Sequence, residues 1–199
     1  MQKNPLITGF VDKILKSDSN VALDKTVVKI RNFDEVVKEI FPSISFPTSN
    51  TADFTPDLAI HIHKIIGKDI IPNAGTYRTN FAAPSQEKHY FYLEPFLIKN
   101  NLQILFEEVR VNMFYTDTLL ERVKVAAAFM TSFLHIHPFS NGNGRVVRIL
   151  VSIILADYCI VPVLIVSNRE VFLDCLRESR RTEPFEPSAV AYSALALNL

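Results

Sequence analysis

The sequence predicts an all-α protein, mainly helical, with one short β-hairpin. Three features predict it. Leu119, Val123, Ala126, Met130, Phe133 and His137 recur at steps of four and three, which lines one face of a helix. Between positions 125 and 134 no residue is charged, as in a helix buried on every side. The periodicity changes at residues 76–81 and 89–93, both rich in β-branched and aromatic side chains, and 82–88 joins them as the turn of a hairpin.

In chain order, residues 5–16 read as a first helix and 33–41 as another, ended by Pro42. The Pro, Ser, Thr and Asn run that follows is a surface loop, too short to separate domains. Thr55-Pro56 supplies an N-cap and a proline at the first helical position, starting a helix to about Ile66. His61 and His63 on it lie two apart and point to different sides, which argues against a shared metal, and the same holds for His135 with His137. Residues 71–75 form a turn. Glu94-Pro95 opens a helix whose apolar side carries Leu97, Ile98, Leu102, Leu105, Phe106 and Val109. Thr118 with Glu121 is a capping box that starts the helix leading to His137, and Pro138 stops it. Residues 145–158 are again helical. The apolar run 149–166 is interrupted by Asp157 and Pro162, so it reads as a buried helix and a turn, not a membrane span. A helix over 166–181 sets Val171, Phe172, Cys175 and Leu176 against the core, and a last one covers 188–196.

With 199 residues, 48% of them apolar, the chain is expected to be one domain over 1–199. Twenty-one basic residues against twenty-one acidic give no electrostatic reason to expect nucleic acid or an anionic membrane. Cys159 and Cys175 are too few for a disulfide framework and not at zinc spacing, and the N-terminus lacks a signal peptide's apolar core. A cytoplasmic, reducing location is the expectation.

The chemistry lies in a short polar loop between two apolar segments: His137-Pro138-Phe139-Ser140-Asn141-Gly142-Asn143-Gly144-Arg145-Val146-Val147-Arg148. His137 ends the apolar stripe and faces inward. The four alternating Asn and Gly residues tolerate left-handed backbone, so their N–H groups can converge on an anion. A helix start adds unpaired N–H groups and a positive dipole end, and Arg145 and Arg148 put two guanidiniums on one side of that turn. The natural guest is a polyphosphate, and a histidine beside it is the layout of a general base. Singly, each feature is more often only a turn, a cap or a satisfied core residue.

In this order they resemble the Fic (filamentation-induced-by-cAMP) family, whose motif is H-P-F-x-(D/E)-G-N-G-R-x-x-R. Eight of its nine specified positions match, and the departure is Asn141. Gly75-Thr76-Tyr77-Arg78 is similar to the G-x-Y-R that precedes the family's flap hairpin. The resemblance covers about residues 15–180. It implies a protein adenylyltransferase in which His137 takes the proton from a Ser, Thr or Tyr hydroxyl of a target protein, that oxygen attacks the α-phosphorus of ATP, and pyrophosphate leaves. Gly142, Asn143 and Gly144 would cradle phosphates with backbone and amide donors, and Arg145 and Arg148 would hold the β and γ groups. Position 141 would ligate Mg²⁺ together with the nucleotide, and Phe139 would pack inward. The hairpin would be a flap holding the target protein, with Asn80, Phe81, His89 and Tyr90 as its contact residues.

Two points qualify the resemblance. Asn141 offers a neutral oxygen, which lowers metal affinity, and is similar to what Doc (death-on-curing) kinases carry; those enzymes bind ATP reversed and transfer the γ-phosphoryl, but have A-N-K where this chain has G-N-G. A Doc-like kinase and a catalytically silent nucleotide- or protein-binding domain are the alternatives. Residues 19–25 resemble a degraded inhibitory motif, (S/T)-x-x-x-E-(G/N), with Asn20 and Asp24 at its defining positions and Arg148 as the partner. The alternative is that Asp24 favours a helix start as an ordinary carboxylate.

Overall fold

The computed structural model describes residues 23–41, 53–84, 90–158 and 169–179. The helices expected over 5–16 and 188–196, with Asn20, His89 and Cys159, lie outside them. Within them run six helices: α1 (Leu23–Glu39), α2 (Pro56–Gly67), α3 (Ile98–Tyr115, entered by a 3₁₀ turn at Pro95–Leu97), α4 (Leu119–Ile136), α5 (Asn143–Ile154) and α6 (Arg169–Ser179).

The helix that carries the charge-free run 125–134 is the centre. α4 packs against both α3 and α5, while α2 packs against α5 and α1. Its N-terminus is closed by the expected capping box: Thr118 Oγ1 accepts from the Glu121 N–H at 3.3 Å, and Glu121 returns a carboxylate oxygen to the Thr118 N–H at 3.2 Å. Hydrogen bonds from the Thr118 hydroxyl and from the Asp117 and Thr118 N–H groups hold the Glu121 carboxyl below its usual range. Val123, Ala126, Met130 and Phe133 are buried, whereas Leu119 in the first turn is exposed. The core holds a run of rings: Phe54 meets Phe106 and Phe129, Phe129 meets Phe133, and Phe133 meets Phe139 of the polar loop at 6.5 Å. Aromatic contact thus continues from the bundle's middle to the loop.

α1 begins ten residues before the helix expected at 33–41. The buried side of that helix carries Val36 and, one turn earlier, Asn32, fully buried, which donates to Lys68 O at 2.7 Å and Ile66 O at 3.4 Å. Those carbonyls end α2, so a polar side chain in α1's apolar stripe caps its neighbour. Asp24 falls in the first turn of α1.

The expected hairpin is not shown, and residues 85–89 of it lie outside the described residues. Among the described residues 76–84 and 90–94 form no strand. The arms do approach, with the Tyr92 N–H on Ala82 O at 3.0 Å. Other backbone groups of the arms bond to the end of α4: the Arg78 N–H to Pro138 O at 2.9 Å and the Leu93 N–H to His135 O at 3.3 Å. α6 is described over Arg169–Ser179, and the other residues of the helix expected at 166–181 lie outside the described residues. Its Phe172 and Leu176 pack on the core and Cys175 is buried, but Val171 is exposed. No described helix is long and apolar enough to cross a membrane, and α5 stops at Ile154 within the apolar run.

Replacing Asn32 by Ala should lower stability by about 1–3 kcal/mol, because two α2 carbonyls lose a buried donor. Urea unfolding checks it; an unchanged midpoint would mean that water replaces the amide.

Candidate active site

α4 ends where the loop begins. Pro138 disfavours helical backbone at the residue before it, so His137 leaves the helix as a left-handed C-cap, φ 49° and ψ 59°, with its N–H still on Phe133 O at 2.9 Å. The imidazole is half-buried, and the ring of Tyr92 lies on it with centroids 3.8 Å apart and planes 11° from parallel. Arg78 fixes the backbone beneath. Its Nε donates to His137 O at 2.7 Å, one Nη to Asn80 O at 2.8 Å, and the other to Ile136 O and Leu93 O.

The loop is pinned from inside. Phe139 is fully buried and stacks on His63 of α2 at 3.8 Å and 11°. His63 Nδ1 accepts from the Gly75 N–H at 2.8 Å, which requires that nitrogen to be bare, so Nε2 carries the hydrogen it donates to Asn141 O at 3.0 Å. Burial, with the Arg145 charge adding to it against the Asn141 hydrogen bond, brings the His63 pKa down to about 4. The ring is therefore neutral near pH 7.

Gly142 opens α5 with φ 85°, and a side chain there would meet Ile71 at 3.2 Å and His63 at 3.4 Å. It is the one loop residue after His137 with a left-handed backbone; Asn141, Asn143 and Gly144 reach the helix start without one. The Asn143 side chain also departs from expectation. It is buried, accepting from the Phe139 N–H at 3.0 Å and donating to Phe139 O at 2.7 Å, so a ligand can be met by its main-chain N–H but not by its amide. Arg148 donates to Gly144 O at 3.0 Å, close enough that a Cβ at Gly144 would lie 3.3 Å from its Nη1. Its guanidinium lies over Phe172 of α6 at 5.2 Å, and burial lowers its pKa, though an arginine stays charged. The Arg145 guanidinium lies beside Gly142. The loop thus runs from a histidine to a helix N-terminus flanked by two arginines, an arrangement suited to phosphate.

Asn141 is exposed at the loop's tip, its Oδ1 accepting from the Gly142 N–H at 2.7 Å. Among the described residues no three His, Cys, Asp or Glu side chains cluster to hold a metal. A hard cation here would find one neutral protein oxygen, which fits Mg²⁺ only where phosphates and water complete its shell.

Of the expected flap contacts, Asn80 and Phe81 are exposed, but Tyr90 turns to α4, with its hydroxyl hydrogen-bonded to His135 Nδ1. Phe91, 65% exposed, is the outward aromatic of that arm and was not anticipated. Nor were His63 and Tyr92. The spacing of Ala59, Ile62, His63 and Ile66 could have placed His63 on the buried face of α2.

Residues 53–155 match the model of the Fic/DOC family, and the chain belongs to that family. It is 35% identical over 85 residues to a probable protein adenylyltransferase of Aquifex aeolicus, which is 43% of this chain and 25% of that protein. To a Fido domain-containing protein of Dictyostelium discoideum it is 31% identical over 115 residues, 57% of this chain and 77% of that one. The match thus spans a quarter of the Aquifex protein's length. Among solved structures, the N-terminal FIC domain of the Bartonella effector Bep8 superposes with a TM-score of 0.70 at 13% identity, covering 98% of this chain and 86% of that one. BepC of Bartonella tribocorum, with bound AMPPNP, gives 0.61 at 17%, covering 86% and 85%. At these identities the structural likeness concerns the fold.

His63 yields a pH prediction. Its pKa is about 4 folded against ~6.5 in the unfolded chain, so between these values the unfolded state binds the extra proton. Stability should therefore fall as pH drops from about 6.5 towards 4, and above that window its pH dependence should owe nothing to His63. Thermal midpoints across it should be less steep for His63→Gln; an identical slope would mean that other groups carry the acid sensitivity.

Proposed function

We propose that the protein transfers AMP from ATP to a Ser, Thr or Tyr hydroxyl of a target protein. The observation that carries this reading is the loop itself: His137 at one end, and at the other the N-terminus of α5 with Arg145 and Arg148. His137 takes the hydroxyl proton, the freed oxygen forms a bond to the α-phosphorus, and the bond to the pyrophosphate oxygen breaks. The proton ends on the imidazole, and pyrophosphate departs with its charge met by the two guanidiniums and the first N–H groups of α5. Mg²⁺, held by the nucleotide and Asn141, would supply charge neutralisation at the phosphates. The target docks along the flap arms, where Asn80, Phe81 and Phe91 are exposed. The segment around Asn20 and Asp24 exerts at most a weak restraint through Arg148 in this reading.

One observation favours a second reading. The neutral oxygen of Asn141 suits a Doc-like kinase or a silent domain, and ATP labelled at the α or γ position separates the three: adenylyl transfer places the α label on protein, a kinase the γ label, and a silent domain neither.

His137→Ala should abolish transfer and leave ATP affinity within about twofold, since the base acts on the hydroxyl and not on the nucleotide. A variant that kept more than a small fraction of the rate would remove His137 from this role. Asn141→Asp should lower the Mg²⁺ concentration needed for half-maximal rate, because a charged oxygen replaces a neutral one. An unchanged metal titration would show that position 141 does not reach the ion.

A further inference from the structure

We propose that Tyr92 is the positioning residue of His137, its ring holding the imidazole in the orientation from which the base accepts a proton. The word base rests on the adenylyltransferase reading; the contact does not. A residue inside a helix has its rotamer restricted by the preceding turn, but His137 stands past the last helical residue with a left-handed backbone, so α4 does not fix its ring. Tyr92 covers one face of that ring at 3.8 Å and 11°.

Tyr92 is itself held. Tyr90 meets it edge-on at 5.7 Å and 88°, while the Tyr90 hydroxyl bonds His135. The Tyr92 N–H is on Ala82 O at 3.0 Å, and the next residue, Leu93, is tied by its N–H to His135 O at 3.3 Å and by its carbonyl to Arg78. Tyr90 and Tyr92, two apart on an extended arm, therefore meet His135 and His137, two apart at the end of α4, while Phe91 between them faces outward. The arm's position and the ring of His137 are one mechanical unit.

A tyrosine that only filled space would contribute to stability and leave turnover alone. The test compares the full chain with Tyr92→Phe, which keeps the stacking face, and Tyr92→Ala, which removes it. In NMR spectra of the wild type the His137 ring protons should be shifted upfield by the tyrosine ring current; Tyr92→Phe should keep most of that shift and Tyr92→Ala should lose it. With α-labelled ATP and Mg²⁺ as the probe and extract proteins as acceptors, Tyr92→Ala should lower turnover about tenfold, equivalent to ~1.4 kcal/mol, with KM for ATP within about twofold. Tyr92→Phe should restore most of the rate. Unshifted His137 protons in the wild type, wild-type turnover in Tyr92→Ala, or Tyr92→Phe as slow as Tyr92→Ala would each overturn the proposal. Should the wild type incorporate no label, the adenylyltransferase reading falls, and the ring-current arm still decides whether Tyr92 orients His137.

Discussion

A single buried cation gathers the site. The Arg78 side chain, 7% exposed, donates to the carbonyls of Asn80, Leu93, Ile136 and His137 and has no carboxylate partner among the described ion pairs. Its charge is balanced by dipoles instead. Ile136 and His137 end α4, where unpaired carbonyls carry the helix's partial negative charge, so the guanidinium both satisfies and neutralises that terminus. Burial disfavours its charged form, yet the planar fork fits several oxygens at once as an ammonium could not. Because two of the four carbonyls belong to the arms 76–84 and 90–94 and two to the end of α4, the arms and His137 share a common frame.

The loop is held independently on its other side. Phe139 continues the run of core rings and ends on His63, and His63 joins Asn141 O to the Gly75 N–H. Gly75 begins the segment that reaches Arg78 three residues later. One circuit therefore closes through α2, the loop, the end of α4 and residues 75–78. Within it Asn143 binds both backbone groups of Phe139, which makes the loop's turn a product of side-chain hydrogen bonds as well as of glycine.

The helical bundle was legible because its central helix carries unambiguous signals: an apolar stripe at helical spacing, a capping box that forms as read, and a proline that stops it. The loop was legible as a motif, and the family follows from it. What the sequence concealed has physical causes. The first turns of α1 were missed because Asn32 breaks the apolar stripe of its buried face. The two arms have strand-like composition, but part of their hydrogen bonding goes to Arg78 and the end of α4, a long-range choice that propensity does not encode. The resemblance implies a phosphate-donating amide at Asn143, whereas this side chain satisfies buried backbone of Phe139. The histidines of α2 were weighed as metal ligands in pairs, and the single buried ring of His63 escaped that question.

The place of Asn141 in this framework separates scaffold from chemistry. Its contribution to the circuit runs through the main-chain oxygen that His63 meets, which any residue supplies. The side chain adds a bond to the Gly142 N–H, and an aspartate oxygen would accept that hydrogen equally well. At this position, then, amide and carboxylate fold alike and differ in the charge presented at an exposed loop tip. Departure from the motif's acidic residue thus leaves the geometry of His137, Gly142 and the arginines intact, and under the proposed function it would act on the hold over a cation.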